Sequence, residues 1–147
     1  MNEQLKTALH IAGIDTFKLQ ACYPLPDAQR NLSGRTHYCD DGTLRYFSAR
    51  INSASDECGG LVYVIEESVA HPELGRVHRF VAFDVFGTVI SDRDKFHKTR
   101  KPCTKAKFAW LNGFDAEAHT IATLRKWADR QTREAQATIA ALDGVQS

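Results

Sequence analysis

Between Arg35 and Ser91 the sequence is a succession of β-branched and aromatic runs cut by turn clusters only a few residues long. THYC and TLRYFSARI flank Asp40-Asp41-Gly42. SASDECGG separates TLRYFSARI from LVYVIEESV, and AHPELG separates that run from RVHRFVAFDVF. Glycine at such junctions accepts positive φ without a Cβ clash, as a tight hairpin requires. Parallel neighbours need a crossover of a dozen or more residues, so connections this short join antiparallel strands. The middle of the chain is therefore expected to be an antiparallel meander of four to five strands. The whole β region spans 16–91, with a first strand where Phe17, Leu19, Ala21 and Tyr23 alternate with Lys18, Gln20 and Cys22. Pro24 and Pro26 end that strand, and 24–34 is a polar loop. Tyr38, Tyr46 and Tyr63 fall on the sheet as either core or a binding platform.

The flanks carry a different period. Leu5, Ala8, Leu9 and Ala12 share one face of a short helix over 3–12, stopped by Gly13. After Ser91 the text becomes helical. Thr99 is the expected N-cap of a helix over 99–112, with Pro102 tolerated in its first turn and Cys103, Ala106 and Trp110 on its inner face. Asn112-Gly113 interrupts it, and Asp115 caps a second helix over 116–143. The fold class is α+β in a single domain, 1–147, with an N-terminal helix and two C-terminal helices, the last one long.

That last helix would run about 42 Å, longer than a small domain is wide. Its apolar stripe, Ile121, Leu124, Ala128, Ala135, Ile139 and Leu142, has the 3-4 spacing of a coiled coil, with Gln131 and Thr138 filling the seam. Either the helix overhangs the sheet or its distal half pairs with a second copy, and the homodimer is the preferred expectation.

The 147 residues are long enough to bury a core without staples, and 43% hydrophobic with 25% charged residues is ordinary globular composition. No apolar run approaches the length that spans a bilayer, so no membrane partner is expected. The opening MNEQLKTALHIAGID reads as neither signal peptide nor anchor, which points to a cytoplasmic protein with free thiols at Cys22, Cys39, Cys58 and Cys103. A zinc set of His37, Cys39, Cys58 and His71 fits no zinc-ligand spacing. No metal or cofactor is expected. Glu66-Glu67 reads as a solvated strand end that discourages further pairing, in preference to a metal site with Asp56.

Two stretches carry candidate chemistry. The first is DVFGTV at 84–89, an Asp followed by Gly-Thr at a strand end. It resembles the nucleophile motif of haloacid-dehalogenase-like hydrolases, and the resemblance implies Asp84 as a covalent nucleophile. The phosphatase branch of that superfamily has a second Asp two residues on, where this chain has Phe86. The superfamily's sheet is also parallel, with functional residues on later strands, whereas here only helix follows Ser91. The bland alternative puts Asp84 on one strand face with His78, Phe80, Ala82 and Phe86, capping a turn amide or pairing with Arg45 or Arg79.

The second is RDKFHKTRKPCTKAK at 93–107. Net charge is only +1, yet residues 91–110 hold seven Lys and Arg against two acids, and 51–90 hold two against six. The neutral average hides a basic patch beside an acidic sheet. Its cations are Arg93, Lys95, Lys98, Arg100, Lys101, Lys105 and Lys107, with Phe96 and Phe108 as stacking groups. A helix N-terminus in the same run adds free N–H groups and a positive dipole end. The set suits nucleic-acid phosphates or an acidic protein surface; a plainly solvated helix face is the competing account.

THYCDDGTLRYFSAR, FVAFDVFGTVI and F-x-K-T-R-K-P-C-x-K-A together resemble short uncharacterised proteins carried by bacterial phages and plasmids. The resemblance brings no activity or site residues. It implies a protein that acts by binding, as regulators and inhibitors of host defence complexes do. The leading expectation is thus a non-enzymatic binding module. A small hydrolase using Asp84 and a structural oligomer built on the last helix are the alternatives.

Overall fold

A computed structural model describes residues 2–14, 16 and 43–146, together with 36–40; for 36–49 and 146 the description covers the backbone alone. The expected strand over 17–23 and the loop 24–34 lie outside the described residues, as do the side chains of Tyr38 and Tyr46. The elements are α1 (Glu3–Ile11), β1 (Thr36–Asp40), β2 (Thr43–Glu57), β3 (Val62–His71), β4 (Gly75–Asp84), α2 (Arg100–Gly113) and α3 (Ala116–Gln146). The fold is α+β with an antiparallel sheet, the class its short turns dictate. Strand neighbours follow chain order, β1-β2-β3-β4.

The register of the sheet decides which side chains meet the helices. Across β3 and β4 the direct partners are Val62↔Asp84, Val64↔Ala82, Glu66↔Phe80 and Ser68↔His78. Directly opposed residues share a face. Phe80 lies 6.0 Å from the Trp110 ring of α2, so this is the face that carries the helices. The other face pairs Tyr63↔Phe83, Ile65↔Val81, Glu67↔Arg79 and Val69↔Val77. Every residue from Leu61 to Val69 is buried, so β3 is covered on both sides. Tyr63 is therefore core, not platform.

One expected turn moves. SASDE does not leave the sheet: Ser53↔Glu66, Ser55↔Val64 and Glu57↔Val62 extend the β2–β3 ladder, after a register shift between Ile51 and Ser53. The serines are tolerated there because their hydroxyls are used, Ser53 donating to Glu66 and Ser55 to Glu57. The reversal is confined to Cys58-Gly59-Gly60, all three at positive φ (54°, 70° and 86°). Two glycines adopt that backbone cheaply; Cys58 does so at a cost of order 1 kcal/mol.

Beyond Asp84 the chain folds back along the free edge of β4. Asp84 N–H donates to Thr88 O, Ile90 N–H to Ala82 O, and His78 and His97 exchange both backbone bonds at 2.7 Å. The Ser91 hydroxyl accepts from Ala82 N–H. Residues 88–97 thus cover an edge that would otherwise be open to strand addition, and they deliver the chain to the start of α2.

The helix ends follow their chemistry unevenly. Asn2 caps α1 through Gln4 and Leu5 N–H, and Asp115 Oδ1 accepts from Ala118 N–H at the start of α3. Thr99 occupies the N-cap position of α2 with extended backbone, but its side chain makes no capping bond. Gly144 does not stop α3, which runs 31 residues, about 46 Å. From Ala128 to Val145 every residue of it is exposed.

Candidate functional site

The DVFGTV corner is built around the Asp84 side chain. Asp84 is 1% exposed. Its Oδ1 accepts from Phe86 N–H at 3.0 Å and Thr88 N–H at 2.9 Å, closing the turn in which Gly87 takes φ 81°. Its Oδ2 lies 2.9 Å from His119 Nε2 on α3. Register explains the pairing: Asp84 belongs to the helix-bearing face, while Arg79 belongs to the opposite one and bonds Glu67. Of the bland expectations, turn capping describes what is seen and pairing with Arg79 does not. Around the carboxylate run antiparallel strands, a tight turn and one helix, with both oxygens engaged. His119 is a partner the sequence did not suggest, because 35 residues separate the two and no local spacing links them.

The acidic pair on β3 is also interior. Glu66 is 5% exposed and Glu67 is 0%, which overturns the expected solvated strand end. Glu67 bonds Arg79, whose guanidinium also donates to Arg93 O and lies 5.4 Å from the Phe96 ring. Glu66 accepts from Ser53 on β2 and from Thr104 and Lys107 on α2. Burial pushes its carboxyl up, but the hydrogen bonds from Thr104 and Lys107, the Lys107 charge and the Ser53 hydroxyl outweigh that and hold its pKa below the usual carboxylate value. Next to this network the Cys103 thiol is raised to about 11, mainly by burial and then by the Glu66 charge.

The seven expected binding cations divide into groups. Lys107 leaves the surface: it is 7% exposed and its Nζ sits 2.9 Å from Glu66. The sequence held a signal for this, since Cys103, Lys107 and Trp110 follow i, i+4, i+7 and so share the buried stripe. Arg93 is half-buried, and Lys95 and Lys98 are exposed on the approach to α2. Arg100, Lys101 and Lys105 come together. With Thr104 and Phe108 they line an open groove of about 580 Å³ on the outer side of α2. Among the described residues these three cations and Lys98 make no ion pair. Phe108 is 51% exposed at the groove's end, its ring 4.5 Å from Lys107 Nζ. Phe96, the other expected stacking group, is half-buried, with its ring 5.0 Å from His71.

No group of three His, Cys, Asp or Glu residues that could hold a metal is present among the described residues. Of the sequence-level zinc candidates, His71 uses Nδ1 to accept from Glu73 and Leu74 N–H, Cys58 is exposed, and the side chains of His37 and Cys39 lie outside the description. Among the described residues no helix is long and apolar enough to cross a membrane. The chain matches no protein-family model, no curated protein and no solved structure.

Proposed function

We propose that this chain is a non-enzymatic binding module that holds a polyanion, nucleic acid before acidic protein, along the outer face of α2. The observation that carries the reading is the company Phe108 keeps: an exposed ring in one groove with Arg100, Lys101 and Lys105, three cations with no acidic partner among the described residues. A cation already paired on its own protein must give up that partner to bind a phosphate; these do not. Lys98 at the approach extends the strip, and the start of α2, which has no side-chain cap, adds a positive dipole end beside Arg100 and Lys101. Phosphate contacts of this kind bind through counterion release and read no sequence.

Phe108 favours single-stranded nucleic acid over a purely acidic protein surface. An aromatic ring stacks on an unpaired base for about 1–3 kcal/mol, while a carboxylate surface gains little from it. The engagement of both Asp84 oxygens supports binding over a hydrolytic role for that residue. The up-and-down sheet of four strands serves as the platform that fixes α2. On the resemblance to phage and plasmid proteins, a cytoplasmic regulator or inhibitor of a host defence complex is the biological setting we propose.

Fluorescence anisotropy with a short single-stranded oligonucleotide, the matching duplex and a poly-glutamate peptide tests the reading. The expected order of affinity is single strand, then duplex, then peptide. Lys101→Glu with Lys105→Glu should abolish all three, and Phe108→Ala should weaken the single strand alone. Equal binding by wild type and the double variant would refute the proposal. A preference for the peptide would move it to an acidic protein partner.

A further inference from the structure

We infer that α3 mediates antiparallel self-association, with the exposed distal end of each helix seated in the α1–α3 groove of a second copy. Two features of one molecule fit each other. Near its start α3 and α1 flank an apolar groove of about 390 Å³, lined by Leu5, Ala8, Ile121, Leu124, Arg125 and Ala128. At the other end of α3, Ile139, Leu142 and Val145 stand 59%, 55% and 82% exposed. Groove and protrusion lie on the same straight helix about 27 Å apart, Leu124 to Leu142. A groove and its complement on one rigid body close into a two-fold dimer when the two helices run in opposite directions.

The seam has the register this requires. Ile121, Leu124, Ala128, Gln131, Ala135, Thr138, Leu142 and Val145 follow a strict 3-4 repeat through α3. Turned about residue 133, the repeat meets itself. Ile121 faces Val145, Leu124 faces Leu142, Ala128 faces Thr138 and Gln131 faces Ala135 of the second copy. Each layer joins one position of each type, as antiparallel knobs-into-holes packing needs. Leu142 and Val145 fall on Leu124 and Ile121 of the apolar groove, and Ala128 and Ala135 lie nearer the centre, where their small side chains let the helices approach.

Charge selects the direction. Residues 121–133 carry Arg125, Lys126, Arg130 and Arg133 against Asp129 alone, whereas 134–147 carry Glu134 and Asp143 with no Lys or Arg. An antiparallel pair lays the acidic half over the basic half; a parallel pair lays like over like. Self-association also accounts for the length of the overhang. Eighteen consecutive exposed residues, including Thr132, Thr138 and Gly144, make only a marginal helix in water without a covering surface. The outer face of α2 takes no part in this contact, so the inference stands apart from polyanion binding.

Light scattering on the full chain should give twice the 16.5 kDa of one chain, and Leu142→Glu should give one chain with unchanged helical circular dichroism. Direction is read by oxidative cross-linking. Ile121→Cys and Val145→Cys, each alone, should form no more covalent dimer than wild type, and an equal mixture of the two should form a heterodimer. A wild-type mass of one chain at all concentrations, or a Leu142→Glu dimer, would overturn the inference. So would cross-linking of either variant with itself, which reports parallel helices.

Discussion

Lys105 and Lys107 lie two positions apart on α2, and their surroundings are opposite. Two residues turn a helix by about 200°, so one side chain faces the sheet when the other faces solvent. Lys107 is buried and bonded to Glu66; Lys105 borders the open groove beside Arg100, Lys101 and Phe108. What separates the buried, paired lysine from the exposed one is helix phase, not charge or sequence neighbourhood. The inner set holds α2 onto β3 through a satisfied ion pair. The outer set forms no ion pair among the described residues.

The sharpest way to break this contrast is to remove each lysine head in turn. Lys107→Met leaves Glu66 ionised, buried and short of its counter-charge, a change expected to cost about 3–5 kcal/mol. Lys105→Met should stay within about 0.5 kcal/mol, as exposed substitutions do. Urea denaturation of both variants makes the comparison, and equal losses would refute the assignment of inner and outer roles.

Asp84→Ala comes next in size. It strips an acceptor from two turn amides and a partner from His119, and charge-assisted bonds of this sort predict a loss of about 2–3 kcal/mol. His119→Ala, on the more exposed side of the pair, should lose about 1 kcal/mol or less. A larger effect for His119 than for Asp84 would mean that docking of α3, not the turn, is the main work of the carboxylate.

The inner network also sets a pH dependence. Glu66 has a folded pKa below its unfolded value of about 4.3. Its stabilising contribution is therefore complete above that value and is lost as pH falls through the lower folded one. Lys107→Met should show a shallower decline between pH 5 and 3, about, than wild type. At the alkaline end Cys103 titrates near 11 when folded, above its unfolded value of about 8.5. Stability should fall as pH rises between the two, and Cys103→Ala should remove that slope. The smallest effect expected is chemical: exposed Cys58 should react with a thiol reagent in the folded protein while buried Cys103 does not.

The antiparallel sheet was legible because its turns are too short for crossovers, and the helices because their apolar periods and their Asp115 cap are local. The basic groove was legible in part. Arg100, Lys101, Lys105 and Phe108 follow from charge and helical spacing, whereas Lys107 needed the correct phase of the apolar stripe. Glu66 and Glu67 were misread since a carboxylate pair in a strand looks solvated until its partners are known. Those partners, Thr104, Lys107 and Arg79, come from other elements. The Ser53–Glu57 stretch looked like a turn because its side chains are polar; Ser53 is satisfied by Glu66 on β3 and Ser55 by Glu57 within the strand. His119 was out of reach, for no periodicity connects a turn to a helix that docks on it.

The outer face of α2 is tested most directly by the salt dependence of single-stranded oligonucleotide binding. Three phosphate contacts, from Arg100, Lys101 and Lys105, predict a slope of log affinity against log salt of about −2. Lys105→Gln should reduce that slope by about 0.7 while leaving the unfolding midpoint in place. An affinity that does not change with salt, or a slope that Lys105→Gln leaves untouched, would contradict the account.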